Sequence, residues 1–278
     1  MRTALLLLAL ALAGFLAWRL WAPQATDAPP APAASAPAPT AGGPAAGTAA
    51  DGQTPGAPLH PVAPDAEQES PQDAAPRLEQ ALSGLLGGQA MQSLLPDRLA
   101  LRVVATVDNL ARSHAPARMW PVTPTAGRFQ VRERADGTTI VAEDNGARYA
   151  SFVSMAESVD PAKLAALYAR FYPLFQDAYA EIGFPGRHFN DRLVEVIDHL
   201  LAAPRPALPL AVRLVEVRSE TPTTRPWVRY EFADPALEKL SAGQKIMLRV
   251  GAENRRRLEA VLVALRRQVA DGALAGAR

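Results

Sequence analysis

The sequence contains no cysteine and only four histidines among its 278 residues. The absence of cysteine excludes disulfides, thiolate metal sites and a cysteine nucleophile. The Gly-x-Ser-x-Gly, His-Glu-x-x-His and Gly-x-x-x-x-Gly-Lys-Ser/Thr motifs of common hydrolases and nucleotide-binding proteins are also missing. A formal net charge of +1 gives no indication of a nucleic-acid partner. We therefore predict no cofactor and no standard metal site.

The N-terminus carries an apolar run, from residue 4 to residue 17. With the residues that follow it, the run reaches about 20 residues, enough to cross the roughly 30 Å hydrocarbon core as a helix. Trp18 and Trp21 suit the membrane interface, and Arg19 can extend toward the headgroups. Residues 1–22 are therefore predicted to be a transmembrane anchor. The alternative is a cleaved signal peptide, which is less favoured because the small residues that suit cleavage lie inside the run.

The remaining chain divides into three parts by composition. Residues 23–75 are rich in Ala, Pro, Gly, Thr and Ser and offer little to bury, so they are predicted to form a disordered linker. Residues 76–270 suit one globular domain, and residues 271–278 are predicted to be a disordered tail. Because N-terminal segments of this kind usually keep their short end in the cytoplasm, we expect a single-pass protein of the bacterial inner membrane with a periplasmic domain.

Apolar periodicity predicts an α+β domain that is predominantly α-helical, with two small antiparallel β-hairpins. Asp136-Gly137 marks the turn of the first hairpin, and the stretches 208–219 and 227–232 supply the second strand pair. Asp160-Pro161 and Asp234-Pro235 each predict a helix start, because the aspartate caps the helix and proline suits its first turn.

Proline and glycine also predict where helices break or end. Pro173 interrupts the apolar helical pattern of residues 160–182 and should kink it or split it in two. Gly183 should end it. A long C-terminal helix is predicted to bury a stripe made of Leu258, Val261, Leu262, Leu265 and Val269.

The stretch 183–202 concentrates two histidines and three acidic residues. Asp191, Glu195 and His199 follow one another at intervals of four residues, with Asp198 beside them. On a helix this spacing forms one stripe, which could bind a divalent cation or supply an acid and a base. A capped, solvent-exposed helix surface is the favoured interpretation, because no second helix offers a matching His/Glu pair.

Other residues of this stretch have predicted structural roles. Asn190 suits the N-cap of the helix, with Phe189 and Val194 as the pair of a hydrophobic staple. Asp191 in the first turn complements the helix dipole. Aromatic residues around the turn could line a groove; they are Tyr172, Phe175, Phe184 and Phe189.

Three blocks of the sequence, residues 103–112 (VVATVDNLAR), 167–204 and 230–266, resemble the bacterial family called domain of unknown function 3014. The resemblance extends over most of the chain from about Pro76. It implies one N-terminal membrane segment, a Pro/Ala-rich linker and this single domain. It implies no activity, ligand or catalytic residue.

The sequence thus favours a membrane-anchored, envelope-facing binding or scaffolding module. Its expected partners are the membrane, through the N-terminal helix, and an envelope protein or polymer. The candidate binding residues are Asn190, Asp191, Glu195, Asp198, His199, Tyr172 and Phe189. One alternative is an envelope enzyme that uses the acidic/His cluster for acid–base or metal-dependent hydrolysis. Another is a spacer domain without a ligand.

Overall fold

The computed structural model describes residues 56–62, 71–86, 91, 94–123, 127–215 and 229–270. The predicted anchor (1–22) and tail (271–278) lie outside the described residues. No helix within the described ranges is long and apolar enough to cross a membrane.

The fold is mostly helical, with two small antiparallel sheets, as the sequence predicts. The helices are α1 (Pro71–Leu86), α2 (Leu99–Leu110), α3 (Ala147–Glu157), α4 (Pro161–Arg170), α5 (Tyr172–Glu181), α6 (Phe189–Leu201), α7 (Pro235–Glu238), α8 (Ala242–Arg249) and α9 (Ala252–Ala270). The strands are β1 (Val131–Glu133), β2 (Thr139–Val141), β3 (Val212–Leu214) and β4 (Tyr230–Phe232).

Aspartate and proline set the helix boundaries where the sequence predicts them. The Asp160 carboxylate accepts from the N–H of Ala162 at 2.9 Å, and the Asp234 carboxylate accepts from that of Ala236 at 2.8 Å. Proline occupies the first turn of the helix in both cases. Pro173 separates α4 from α5 at Phe171, so the prediction of a split helix is confirmed.

Both predicted hairpins are present and lie side by side. β1 pairs with β2, and β3 pairs with β4. An isolated bridge joins Ile140 to Ala211, and the Val141 N–H donates to the carbonyl of Leu210 at 2.9 Å, so the two sheets are linked edge to edge. Side chains of the second hairpin pack against α8 in a small apolar cluster made of Leu210, Val212, Phe232 and Leu248.

The main core lies between two central helices and their neighbours. Helix α9 packs on α3, α4 and α6, and α2 packs on α5, α6 and α8. The predicted apolar stripe of α9 is buried, as expected. Trp120, which follows a single 3₁₀ turn, is also almost fully buried.

Helix α8 is buried on every side, although its sequence AGQKIMLR contains three polar residues. The polar end of each of these side chains bonds to a residue outside α8. The Lys245 ammonium lies 2.8 Å from the Glu238 carboxylate, and the Arg249 guanidinium donates to the Tyr230 carbonyl at 3.2 Å. The Gln244 amide donates to the carbonyl of His199 at 3.1 Å. Neither α8 nor α3 is predicted from the sequence as a separate helix.

The start of α6 differs from the prediction. The residue at the N-cap is His188, and Asn190 lies inside the first turn with its side chain fully buried. Asn190 is not the cap because its amide binds two carbonyls from distant parts of the chain. Phe189 is consequently in the helix rather than before it, so the predicted staple is also wrong.

Residues 56–62, called the docked segment below, lie against the start of α6 and the end of α9. These residues belong to the stretch 23–75, which the sequence predicts to be a disordered linker. Their hydrogen bonds are to residues more than 100 positions away in the chain. The side chain of Val62 packs on the edge of the main core.

Candidate binding site at the start of helix α6

The turn between α5 and α6 positions the site. Gly183 ends α5 with a positive φ of 109°, a conformation that glycine adopts without strain. Gln176 then holds the turn from α5. Its side-chain oxygen accepts from the N–H of Phe189 at 2.9 Å, and its amide donates to the carbonyl of Arg187 at 2.7 Å. The first N–H of α6 is therefore satisfied by Gln176 instead of by a cap on α6 itself.

Asp191 binds the main chain of the docked segment with both carboxylate oxygens. One oxygen accepts from the N–H of Leu59 at 3.1 Å, and the other accepts from the N–H of His60 at 2.8 Å. Hydrogen bonds to a charged acceptor are stronger than those between neutral groups. Asp191 therefore provides the main polar anchor of the segment.

Asn190 connects the docked segment to the end of α9. Its amide nitrogen donates to the His60 carbonyl at 2.8 Å and to the Val269 carbonyl at 2.9 Å. Because both partners are carbonyls, the nitrogen of the amide must face them. Its oxygen, Oδ1, is buried and has no hydrogen-bond partner among the residues that the structure describes.

Two histidines complete the polar contacts. Nε2 of His188 lies 2.9 Å from the Gly56 carbonyl, and Nδ1 of His60 lies 3.1 Å from the Ala270 carbonyl. A carbonyl only accepts, so each of these ring nitrogens carries the proton. We call His188, Asn190, Asp191 and the Ala270 carbonyl the docking site.

Of the four aromatic residues predicted to line a groove, Phe175 and Phe189 are fully buried, and Tyr172 and Phe184 are partly buried. Phe175 and Phe189 have no exposed surface and stack at 6.3 Å within the core. Burial raises the pKa of Tyr172 to about 12, with a smaller contribution from the charge of Asp191. Its hydroxyl therefore stays protonated and donates to Gln176 at 2.9 Å.

The predicted acidic/His stripe of α6 does not converge. Glu195 pairs with Arg192 at 2.9 Å, Asp198 pairs with Arg266 at 2.9 Å, and Nε2 of His199 lies 2.8 Å from the Ser241 hydroxyl. Asp191 binds the docked segment instead. Within the described part of the chain, no group of three His, Asp or Glu residues is arranged to hold a metal ion.

His199 lies in a partly buried position that disfavours its charged form. Burial lowers its pKa, and the nearby Arg192 charge lowers it further, while Glu195 acts in the opposite direction. The ring is therefore neutral at neutral pH. The Ser241 hydroxyl also accepts from the N–H of Gln244 at 3.2 Å, which caps α8. The contact between His199 and Ser241 thus joins α6 to the start of α8.

Arg192 connects the site to the core through Asp108. The Asp108 side chain is only 5% exposed and accepts from Arg192 at 2.9 Å and from Arg112 at 2.6 Å. Arg192 also donates to the main-chain carbonyl of Asp108 at 3.0 Å. This network fixes α6 against α2, and so it fixes the helix that presents Asn190 and Asp191.

Neither Gln176 nor His60 is among the site residues that the sequence predicts. Gln176 follows Tyr172 by four residues on one helix, a spacing that puts the two side chains together. His60 lies between proline-rich residues of the predicted linker, where nothing in the local pattern signals a tertiary contact. Of the predicted binding residues, Asn190 and Asp191 touch the docked segment. Glu195, Asp198 and His199 bind other partners.

These observations define a small helix-rich α+β domain that holds residues 56–62 of its own chain against the start of α6. The model of the family "Protein of unknown function (DUF3014)" matches residues 99–266, and the chain belongs to this family. No curated protein and no solved structure matched the chain.

Proposed function

We propose that the protein is a membrane-tethered, envelope-facing binding module, and that its docking site captures a short polypeptide segment. The observation that supports this proposal is the way residues 56–62 are held. Asp191, Asn190 and His188 make four hydrogen bonds to main-chain groups of the segment.

Recognition through the main chain defines the class of ligand. A carboxylate that accepts from two successive N–H groups, beside an amide that donates to the next carbonyl, binds the polypeptide backbone. The side chains of His60 and Val62 add contacts with the Ala270 carbonyl and with the core. The Leu59 side chain is 80% exposed, so it contributes little to the contact. Pro58 and Pro61 restrict the residues before them to extended conformations. The segment itself bends at Leu59 and His60, so a bent, proline-flanked peptide fits the site.

The tethered arrangement follows from the predicted anchor and linker. A flexible linker keeps a module at a high effective concentration near partners in the same membrane or in the adjacent envelope. A binding site of moderate affinity is sufficient under these conditions. The partner proposed here is an envelope protein with an accessible, proline-flanked segment.

The geometry supports binding more than the alternative, an enzyme with an acidic/His cluster. Acid–base or metal-dependent hydrolysis requires several of these groups to face one substrate. Here Glu195 and Asp198 make separate ion pairs with arginines, and His199 faces the cap of α8.

Peptide binding to a vacant site tests the proposal. In the full chain, residues 56–62 are replaced by a Gly/Ser segment of equal length, which removes the docked segment. A fluorescent peptide with the sequence of residues 55–63 is then titrated against this variant in detergent micelles. We expect saturable binding, which Asp191→Asn weakens at least tenfold.

Asp177→Asn is the matched control, because Asp177 is an exposed aspartate on the neighbouring helix α5. It should leave the affinity unchanged. Equal peptide affinity with and without Asp191→Asn, in variants whose circular dichroism spectra agree, would rule out this docking site as the binding surface.

A further inference from the structure

The docked segment is held by few contacts compared with its length. Gly56, Leu59 and His60 make the hydrogen bonds that hold it, and most of its residues remain exposed. Only Val62 packs on the core. Ordering seven residues costs conformational entropy of the same order as these contacts return. The docked state is therefore favoured over the released state by only a small difference in free energy.

The docked segment also leaves one acceptor of the site unused. Oδ1 of Asn190 is buried and has no partner among the described residues, whereas the amide nitrogen of the same side chain binds two carbonyls. A buried acceptor without a donor is unfavourable. A peptide that brings an N–H to this oxygen would make one hydrogen bond more than residues 56–62 do.

We propose that residues 56–62 are an exchangeable internal ligand, which a short peptide segment of a partner protein displaces from Asp191 and Asn190. This inference rests on the proposed function, because it concerns the same site and names its regulation. Without a partner, the segment protects the docking site. With a partner, the segment leaves the site and becomes part of the tether.

Displacement changes the reach of the domain. While the segment is docked, the tether between the predicted anchor and the domain consists of residues 23–55, about 33 residues; after release it extends to residue 70, about 48 residues. As a flexible coil, its root-mean-square reach rises from roughly 32 Å to roughly 38 Å, and its maximum extension from roughly 110 Å to roughly 160 Å. Partner binding would thus free the domain to move further from the bilayer.

A distance measurement between two spin labels tests the inference on the full chain. Because the protein has no cysteine, Ala57→Cys and Ala166→Cys introduce two labelling positions without background. Both alanines are exposed, one on the docked segment and one on α4. In the otherwise unchanged chain we expect a single narrow distance distribution. Asp191→Asn should broaden it, and Asp177→Asn should not.

Displacement is then measured by adding the unlabelled peptide of residues 55–63. The internal segment competes at an effective concentration of the order of millimolar, so the peptide is titrated through that range. We expect the narrow distribution to give way to a broad one as the peptide saturates the site.

The outcomes separate this inference from the proposed function. If the peptide binds the Gly/Ser variant but leaves the distribution of the labelled chain narrow at all concentrations, the exchange is wrong and the binding function stands. If the peptide does not bind the Gly/Ser variant, the binding function itself is wrong. A distribution that is already broad without peptide would also contradict the inference.

Discussion

At the scale of single residues, Asp108 is the buried charge on which the position of α6 depends. It pairs with Arg192, whose side chain is only 17% exposed, and with Arg112. The pKa of Arg192 is raised despite its burial, because Glu195 and Asp108 stabilise the charged form. Removing the Asp108 carboxylate leaves the largely buried Arg192 guanidinium with the main-chain carbonyl of Asp108 and, as its charged partner, the exposed Glu195.

We therefore expect Asp108→Asn to lower the free energy of unfolding by about 2–4 kcal/mol. Urea denaturation monitored by circular dichroism measures this change. Asp177→Asn is the control and should stay within about 0.5 kcal/mol, as is usual for exposed positions. A loss for Asp108→Asn no larger than that of the control would show that the ion pairs do not stabilise the fold.

His199 gives the fold a dependence on pH. Burial and Arg192 lower its pKa in the folded protein, so below about pH 6.5 the unfolded chain binds more protons at this residue than the folded one does. The stability that neutral His199 provides is complete above the unfolded pKa and is lost as the pH falls from there through the lower pKa of the folded state. His199→Gln should remove part of the decrease in stability between pH 7.5 and pH 5.5. Urea denaturation at both pH values tests this, and an unchanged decrease would assign it to other groups.

At the scale of secondary structure, α8 shows how closely the helices approach. A Cβ atom added at Gly243 would lie 2.4 Å from Cδ2 of Leu200 and 2.9 Å from the backbone oxygen of Leu110. Alanine is normally the better helix former. At this position, however, it forces α8 away from α2 and α6.

Gly243→Ala should therefore destabilise the protein by about 1–3 kcal/mol, the usual range for overpacking. Gly84 in α1 provides the matched control, because nothing lies within 4 Å of a Cβ atom added there. Gly84→Ala should stabilise the protein by about 0.5–1 kcal/mol. Thermal denaturation of both variants measures the two effects, and the same sign for both would contradict the packing described for α8.

The elements that the sequence predicts correctly are those with local signals. Asp160-Pro161, Asp234-Pro235, Pro173 and the Asp136-Gly137 turn act through their own backbone, so a single sequence suffices to place them. Helix α8 has no such signal. Its buried polar residues have partners only in the folded chain.

The site is only partly predictable, because local signals identify residues at a helix start but not their distant partners. Asn190 and Asp191 were recognised as unusual residues at a helix start, but their partners are 79 to 132 positions away. No spacing rule along one helix identifies Gly56, Leu59 or His60 as those partners. The four-residue spacing of the acidic/His stripe is correct, but each of its residues contacts a different partner in the fold.

At the scale of the whole molecule, the proposed arrangement is a domain on a tether that starts at a membrane anchor. The anchor is tested by extracting membranes that contain the full chain with alkaline carbonate. We expect the full chain to remain in the pellet and a variant without residues 2–22 to be soluble. Release of the full chain into the supernatant, or a mature protein that lacks its first residues, would favour the cleaved signal peptide.

The central claim is that Asp191 holds residues 56–62 on the domain, and hydrogen exchange of this segment tests it most directly. The N–H groups of Leu59 and His60 are bound to the Asp191 carboxylate. They should therefore exchange several times more slowly than in the isolated peptide, and Asp191→Asn should abolish this protection. Asp177→Asn should preserve it. Exchange of Leu59 and His60 in the wild-type chain at the rate of the free peptide would contradict the claim.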